Sequence, residues 1–213
     1  MFYRLAKPFL ILLFKVLTRW EVEGRHNLPP GGPLLVVFNH LGHLDPALLM
    51  ATLPWRITGL AVAGLREVPV TGFLLRLGGA IWVNRGHYDR EALRKALAVL
   101  ERGDVLVIAP EGRISVSGAL ERGKTGPVFL AQRANVPILP IGITGAEEAP
   151  EKLKRFQRPH LRVIIGQVFR LSERPPGRSR KEQLRANSDF IMRRLAELLP
   201  EKYRGVYREG FSP

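Results

Sequence analysis

Six apolar runs bounded by turn residues punctuate the chain, at 33–38, 57–63, 79–83, 105–109, 136–143 and 161–166. Each has the length and composition of a buried strand. Between them the spacing turns helical. PALLMATL (46–53) opens a short helix, and VPVTGFLLRLG (68–78) reads as a second. DREALRKALAVLERG (89–103) places Asp89 as a cap, Leu93, Leu97 and Leu100 on one face, and Gly103 as a stop. TGPVFLAQRANV (125–136) is a fourth. In SRKEQLRANSDFIMRRLAELLP (179–200), Ser179 and Glu182 predict a capping box, and Leu184, Ile191, Leu195 and Leu198 predict a packing face. Strand–helix alternation predicts an α/β fold, a mostly parallel central sheet flanked by helices. No internal repeat interrupts it.

The amino end breaks this rhythm. MFYRLAKPFLILLFKVLTRW is apolar, but its uninterrupted run from Pro8 to Phe14 stops at Lys15. A spanning helix needs about 20 mostly apolar residues, and no small-residue cleavage site follows to suggest a signal peptide. Arg4, Lys7, Lys15, Arg19 and Trp20 flank or interrupt the stretch, a pattern that suits an amphipathic helix lying in the headgroup region of an anionic membrane. A helix docked on the domain is the alternative. The reading is an interfacial helix over 1–19 and a single domain over 20–213.

Composition narrows the chemistry. With 46% apolar residues over 213 positions, the chain can bury a core. The absence of cysteine excludes disulfides, thiolate metal sites and a cysteine nucleophile, and fits a cytosolic face. The net charge is +14, from 33 basic and 19 acidic residues, and most of the basic residues are arginine. Arginine's planar fork suits phosphate and carboxylate, so a phosphate-bearing partner is expected. Nucleic acid is not, because neither a reading helix nor an aromatic platform is evident.

One cluster stands out. FNHLGHLDP (38–46) follows an apolar strand and brings His40, His43 and Asp45 into one short segment. As a metal site it lacks further ligands: His26, His87 and His160 form no ligand-like pair, and no HExxH motif occurs. Proton handling fits better. Parallel sheets keep their sites at the carboxyl edge of the strands, and Asp45-Pro46 reads as the cap and first residue of a helix. A turn between the two lets His40 fold back on Asp45, which fixes the ring's tautomer and leaves its other nitrogen as a general base. Because no G-x-S-x-G elbow is present, the base would activate a hydroxyl of the substrate.

Four segments in order resemble the lysophosphatidic acid acyltransferases and their glycerolipid acyltransferase relatives: NHLGHLDP, REVPVTGFLLRLGGAIWVNRG, APEGRISVSGALERGKTG and VPILPIGITG. The resemblance implies transfer of a fatty acyl group from a thioester donor, acyl-CoA or acyl carrier protein, to the free hydroxyl of a lysophospholipid such as 1-acyl-glycerol 3-phosphate. It implies no cofactor and no metal. His40 would be the general base and Asp45 its orienting partner. Glu111 and Gly112 would help place the acceptor, Arg85 and Arg113 would hold its phosphate, and Lys124 would play a weaker part. The implied location is the cytoplasmic face of a membrane, held peripherally or monotopically.

Two departures concern the acceptor. Gly42 stands where the family often has serine, and Arg113 comes one place early in the third segment, followed by Ile114 and Ser115. Glycerol 3-phosphate or another lyso- or glycolipid is therefore an alternative acceptor. His43 is expected at the surface or just behind the site, and Arg66, though within reach of the site, at the surface. A non-catalytic module for anionic membranes and a thioester hydrolase using water are the rival readings.

Overall fold

The computed structural model describes residues 2–68, 72–73, 75–76, 78–84, 89–172 and 179–208. Helix α1 (Phe2–Leu17) leads into strand β1 (Arg19–Glu23), followed by β2 (Leu34–Phe38), α2 (Asp45–Thr52), β3 (Ile57–Val62) and β4 (Ile81–Val83). Then come α3 (Arg90–Glu101), β5 (Val105–Ile108), α4 (Gly126–Ala134), β6 (Ile138–Thr144), α5 (Ala149–Lys154), β7 (His160–Ile165) and α6 (Arg180–Ala196). The seven strands form one sheet in the order β1-β7-β6-β2-β5-β3-β4. Every neighbouring pair is parallel except β6 with β7. The α/β fold and mostly parallel sheet are as expected. The antiparallel β7 and the strand β1 were not.

β1 escaped notice because RWEVE alternates polar and apolar residues at the sheet's edge, without the continuous apolar run that marks a buried strand. Such a run does mark β2, whose five residues are all buried at the sheet's centre. The helix expected over 68–78 falls partly outside the described residues; residues 72, 73, 75 and 76 are helical.

Crossovers β2–α2–β3 and β5–α4–β6 step along the sheet in opposite directions, so right-handed connections put α2 and α4 on opposite faces. α1 packs with α2, while α4 packs with both α3 and α6. α1 buries Phe14 and packs Leu10 and Ile11 against the core. Its outer side leaves Phe9, Leu12 and Val16 at least 60% exposed. Lys7 donates to the Leu53 carbonyl and Tyr3 to that of Trp55, tying α1 to the end of α2.

α6 carries the predicted capping box. Ile191 and Leu195 are buried as expected, but so are Gln183, Asn187 and Ser188. The residues that follow fold back over the sheet's carboxyl edge. Leu120 N donates to the Tyr203 carbonyl at 2.8 Å, and Val206 N to the Leu120 carbonyl at 3.2 Å. Gly205, at φ +51°, makes this approach possible: a Cβ there would lie 2.0 Å from the Leu120 oxygen.

Candidate active site

The site grows from the carboxyl ends of two adjacent strands, β2 and β5. β2 stops pairing at Phe38, yet Asn39 keeps the chain fastened. Its buried side-chain amide donates to the Ile143 carbonyl (2.8 Å) and its oxygen accepts from Ile143 N (2.7 Å). A side chain thereby imitates the next rung of the ladder, and the main chain is free to leave the sheet. Asn39 was not foreseen; a polar residue closing an apolar strand was its signal.

The freed chain turns through Leu41–Leu44 into α2. Asp45 is fully buried. Its Oδ2 accepts from His40 Nδ1 at 2.8 Å, Leu41 N at 2.7 Å and Gly42 N at 2.9 Å. The expected helix cap is corrected here: Leu44 is the cap residue, no side chain caps the helix, and the Asp45 carboxylate looks back into the turn. The reason is supply. Two turn amides and the imidazole all point inward, and the buried carboxylate is the acceptor within reach. With Nδ1 bonded to Asp45, Nε2 has no hydrogen-bond partner among the described residues, and the ring retains 19% exposure.

β5 delivers the second half. Glu111, 4% exposed, accepts from His40 N at 3.4 Å through Oε1 and from Glu121 N at 2.9 Å through Oε2. Burial pushes its carboxyl up to about 7, against the pull of those two amides. The His40 carbonyl in turn accepts from Ser115 N at 2.8 Å. Both peptide groups of His40 are thus held by the 111–121 segment.

The remaining expected residues divide. At Gly112, φ +71°, a Cβ would stand 2.8 Å from Lys124 Nζ, so the missing side chain leaves room for that ammonium against the Glu111–Gly112 turn. Lys124 is exposed and has no ion pair among the described residues. Arg113 is already engaged: its guanidinium donates to Glu121 Oε2 at 2.9 and 2.5 Å, while Glu121 Oε1 accepts from Val116 N at 3.1 Å. Arg85 lies outside the described residues. His43 and Arg66 are exposed, as expected.

Glu121 is a second residue that the sequence did not single out. α6 braces the same loop, through Arg185 to the Gly123 carbonyl (3.0 Å) and Ser188 to the Lys124 carbonyl (3.2 Å). Among the described residues no three His, Asp or Glu side chains converge as a metal-holding group. A cavity of about 220 Å³ lies between α4 and α6, lined in part by Phe129, Arg133 and Gln183, and none of the site residues reaches it.

The sequence model of a family described as Acyltransferase matches residues 19–144, more than half of the chain and all of β1 to β6. The chain belongs to the acyltransferase family. It is 33% identical over 150 residues to 1-acyl-sn-glycerol-3-phosphate acyltransferase alpha of Mus musculus, covering 66% of this chain and 51% of that protein. It is 33% identical over 116 residues to the lyso-ornithine lipid O-acyltransferase of Pseudomonas aeruginosa, covering 54% and 44%. The crystal structure of the 1-acyl-sn-glycerophosphate acyltransferase PlsC from Thermotoga maritima superimposes with a TM-score of 0.69 at 25% identity, covering 89% of this chain and 76% of that one. The chain spans about half the length of the curated relatives it matches. The acyltransferase match takes in His40, Asp45, Glu111, Gly112, Arg113 and Lys124, and stops before α6 and the tail that brace them.

Proposed function

We propose that this protein transfers a fatty acyl group from an acyl thioester to the free hydroxyl of a lysophospholipid, with 1-acyl-glycerol 3-phosphate as the favoured acceptor. The observation that carries the reading is the 2.8 Å His40–Asp45 contact at the sheet's carboxyl edge, with Nε2 left free. His40 Nε2 takes the proton of the acceptor hydroxyl as its oxygen forms a bond to the thioester carbonyl carbon. The tetrahedral intermediate then collapses, the C–S bond breaks, and the proton returns from the imidazolium to the departing sulfur. The buried Asp45 carboxylate supports the imidazolium in between and holds the ring's angle. No covalent acyl-enzyme and no cofactor enter; acyl-CoA or acyl carrier protein is the donor substrate.

Lys124 is the cation best disposed toward an acceptor phosphate, being exposed, without an ion pair among the described residues, and seated against Gly112. Arg85 joins it on the strength of the family resemblance, and Glu111 acts by setting the turn. α1 lies along the cytoplasmic leaflet with Phe9, Leu12 and Val16 in the lipid. Among the described residues no helix is long and apolar enough to cross a membrane. The Arg113–Glu121 ion pair favours a second reading of the acceptor alone, because an arginine already neutralised suits an acceptor without a phosphate monoester.

The deciding experiment offers the purified chain a panel of acceptors: 1-acyl-glycerol 3-phosphate, glycerol 3-phosphate and an uncharged or amino-acid lyso-lipid. Each is paired with acyl-CoA and with acyl carrier protein, and products are identified by mass. Phosphatidate formation is expected. Free fatty acid alone, unchanged by any acceptor, overturns the transferase reading in favour of a hydrolase.

A further inference from the structure

Phe156 combines two unfavourable features. It is 99% exposed, and its backbone has φ +55°, in the left-handed region where a bulky residue is an outlier. The turn explains the backbone. Past the end of α5, Phe156 N donates to the Leu153 carbonyl (3.0 Å) and Gln157 N to the Lys152 carbonyl (2.9 Å). This is the Schellman pattern, whose left-handed position usually falls to glycine. Folding therefore gains nothing from a phenyl ring here: the backbone favours glycine, and the ring buries no area.

The surroundings suggest what the ring meets. Residues 152–158 read KLKRFQR, four cations and no acid. Lys152 and Lys154 pair with Glu148 (2.6 Å) and Glu151 (2.7 Å), and Arg155 has no ion pair among the described residues. Arg158 donates to the carbonyls of Lys15 (2.7 Å) and Thr18 (2.6 Å), so the turn is bonded to the end of α1, the helix with the exposed apolar side. Its place in the sheet matters as well. β7 starts directly after the turn, and because it runs antiparallel to β6 the turn stands at the same sheet edge as His40. Two strand spacings, about 10 Å, separate β7 from β2.

We propose that the Phe156 turn is a membrane contact of its own: the ring enters the headgroup region of an anionic phospholipid bilayer, and Arg155 beside it lies on a lipid phosphate. The proposal rests on α1 lying on a membrane, as proposed above. A single interfacial helix lets a domain roll about the helix axis. A second contact off that axis stops the roll and keeps the His40 edge turned to the lipid that supplies its acceptor.

The full chain and its Phe156→Gly variant are compared for partition onto mixed phosphatidylcholine–phosphatidylglycerol vesicles, with melting temperature and sedimentation velocity alongside. Glycine suits the turn, so the variant is expected to melt no lower than wild type while its partition coefficient falls about tenfold. Arg155→Ala is expected to weaken binding to the mixed vesicles and leave binding to pure phosphatidylcholine unchanged. Three results overturn the proposal: unchanged partition of Phe156→Gly, a lower melting temperature that reveals a folding role for the ring, or loss of self-association at unchanged partition. The acyltransfer reading is tested separately, with wild type and a water-soluble short-chain donor and acceptor. Failure there ends that reading and leaves the vesicle result standing.

Discussion

Two buried carboxylates meet at His40 and do different work. Asp45 gathers three N–H donors on one oxygen, the imidazole among them. Glu111 spreads two backbone donors over two oxygens, one from His40 and one from Glu121. Asp45 reaches the ring through five residues of local chain. Glu111 reaches the same residue's backbone across 71 positions and two strands. Burial is similar, so the partners decide the roles. A carboxylate facing an imidazole fixes the angle of the ring, while a carboxylate facing two amides pins one loop to another.

The most severe way to break this comparison is to remove what the carboxylates share. His40→Ala is expected to lower transfer by on the order of a thousandfold, with a melting temperature close to wild type, because the ring sits at the rim of the core. Quantifying acylated product by mass and melting by calorimetry checks both halves. Asp45→Asn comes next. The amide oxygen can still accept from Leu41 and Gly42, but the charge that supports the imidazolium is gone. A loss of kcat on the order of a hundredfold is expected, with a smaller stability cost of about 1–2 kcal/mol. Equal kcat in variant and wild type would sink the orienting role.

Glu111→Gln sharpens the contrast through pH. Burial pushes its folded carboxyl up to about 7 from the ordinary 4.5, so between those values the folded state holds a proton that the unfolded chain has released. This residue therefore makes stability fall as pH rises from about 4.5 to about 7, after which its contribution is constant. Denaturant titrations at several pH values should show that decline in wild type and lose it in Glu111→Gln. The variant also gives up one acceptor and is expected to be less stable by about 1–3 kcal/mol below that window. The smallest effect belongs to Glu121→Ala, which frees the exposed Arg113. An ion pair so exposed is worth about 0.2–1 kcal/mol, so stability should hardly move. KM for a phosphorylated acceptor should drop severalfold while kcat stays, as initial rates over a concentration series would show. No change in KM would mean that Arg113 takes no part in acceptor binding.

What was legible followed chain distance. The His40–Asp45 pair could be read because a strand, a turn and a helix start within nine residues leave little choice of path. The buried strands could be read because a strand covered on both faces must be apolar throughout. Arg113 shows the opposite case: segment order points it at the acceptor's phosphate, whereas the fold pairs it with Glu121, a residue with no sequence signal of its own. The bracing of the 111–124 loop by Arg185, Ser188 and Tyr203 was equally hidden, because α6 shows its apolar stripe and not the polar contacts beside it.

The amino-acid sequence by itself determined the alternation of buried strands and helices, the capping box that opens α6, and the one segment whose local turn pairs a histidine with an aspartate. These are short-range matters of side-chain period, capping and turn geometry, and they need no partner from elsewhere. Only the tertiary structure decided that Glu111 grips the His40 backbone, that Glu121 occupies Arg113, and that the Phe156 turn stands at the same sheet edge as the histidine. Each of those depends on which strands become neighbours, and strand order arises from packing the whole chain.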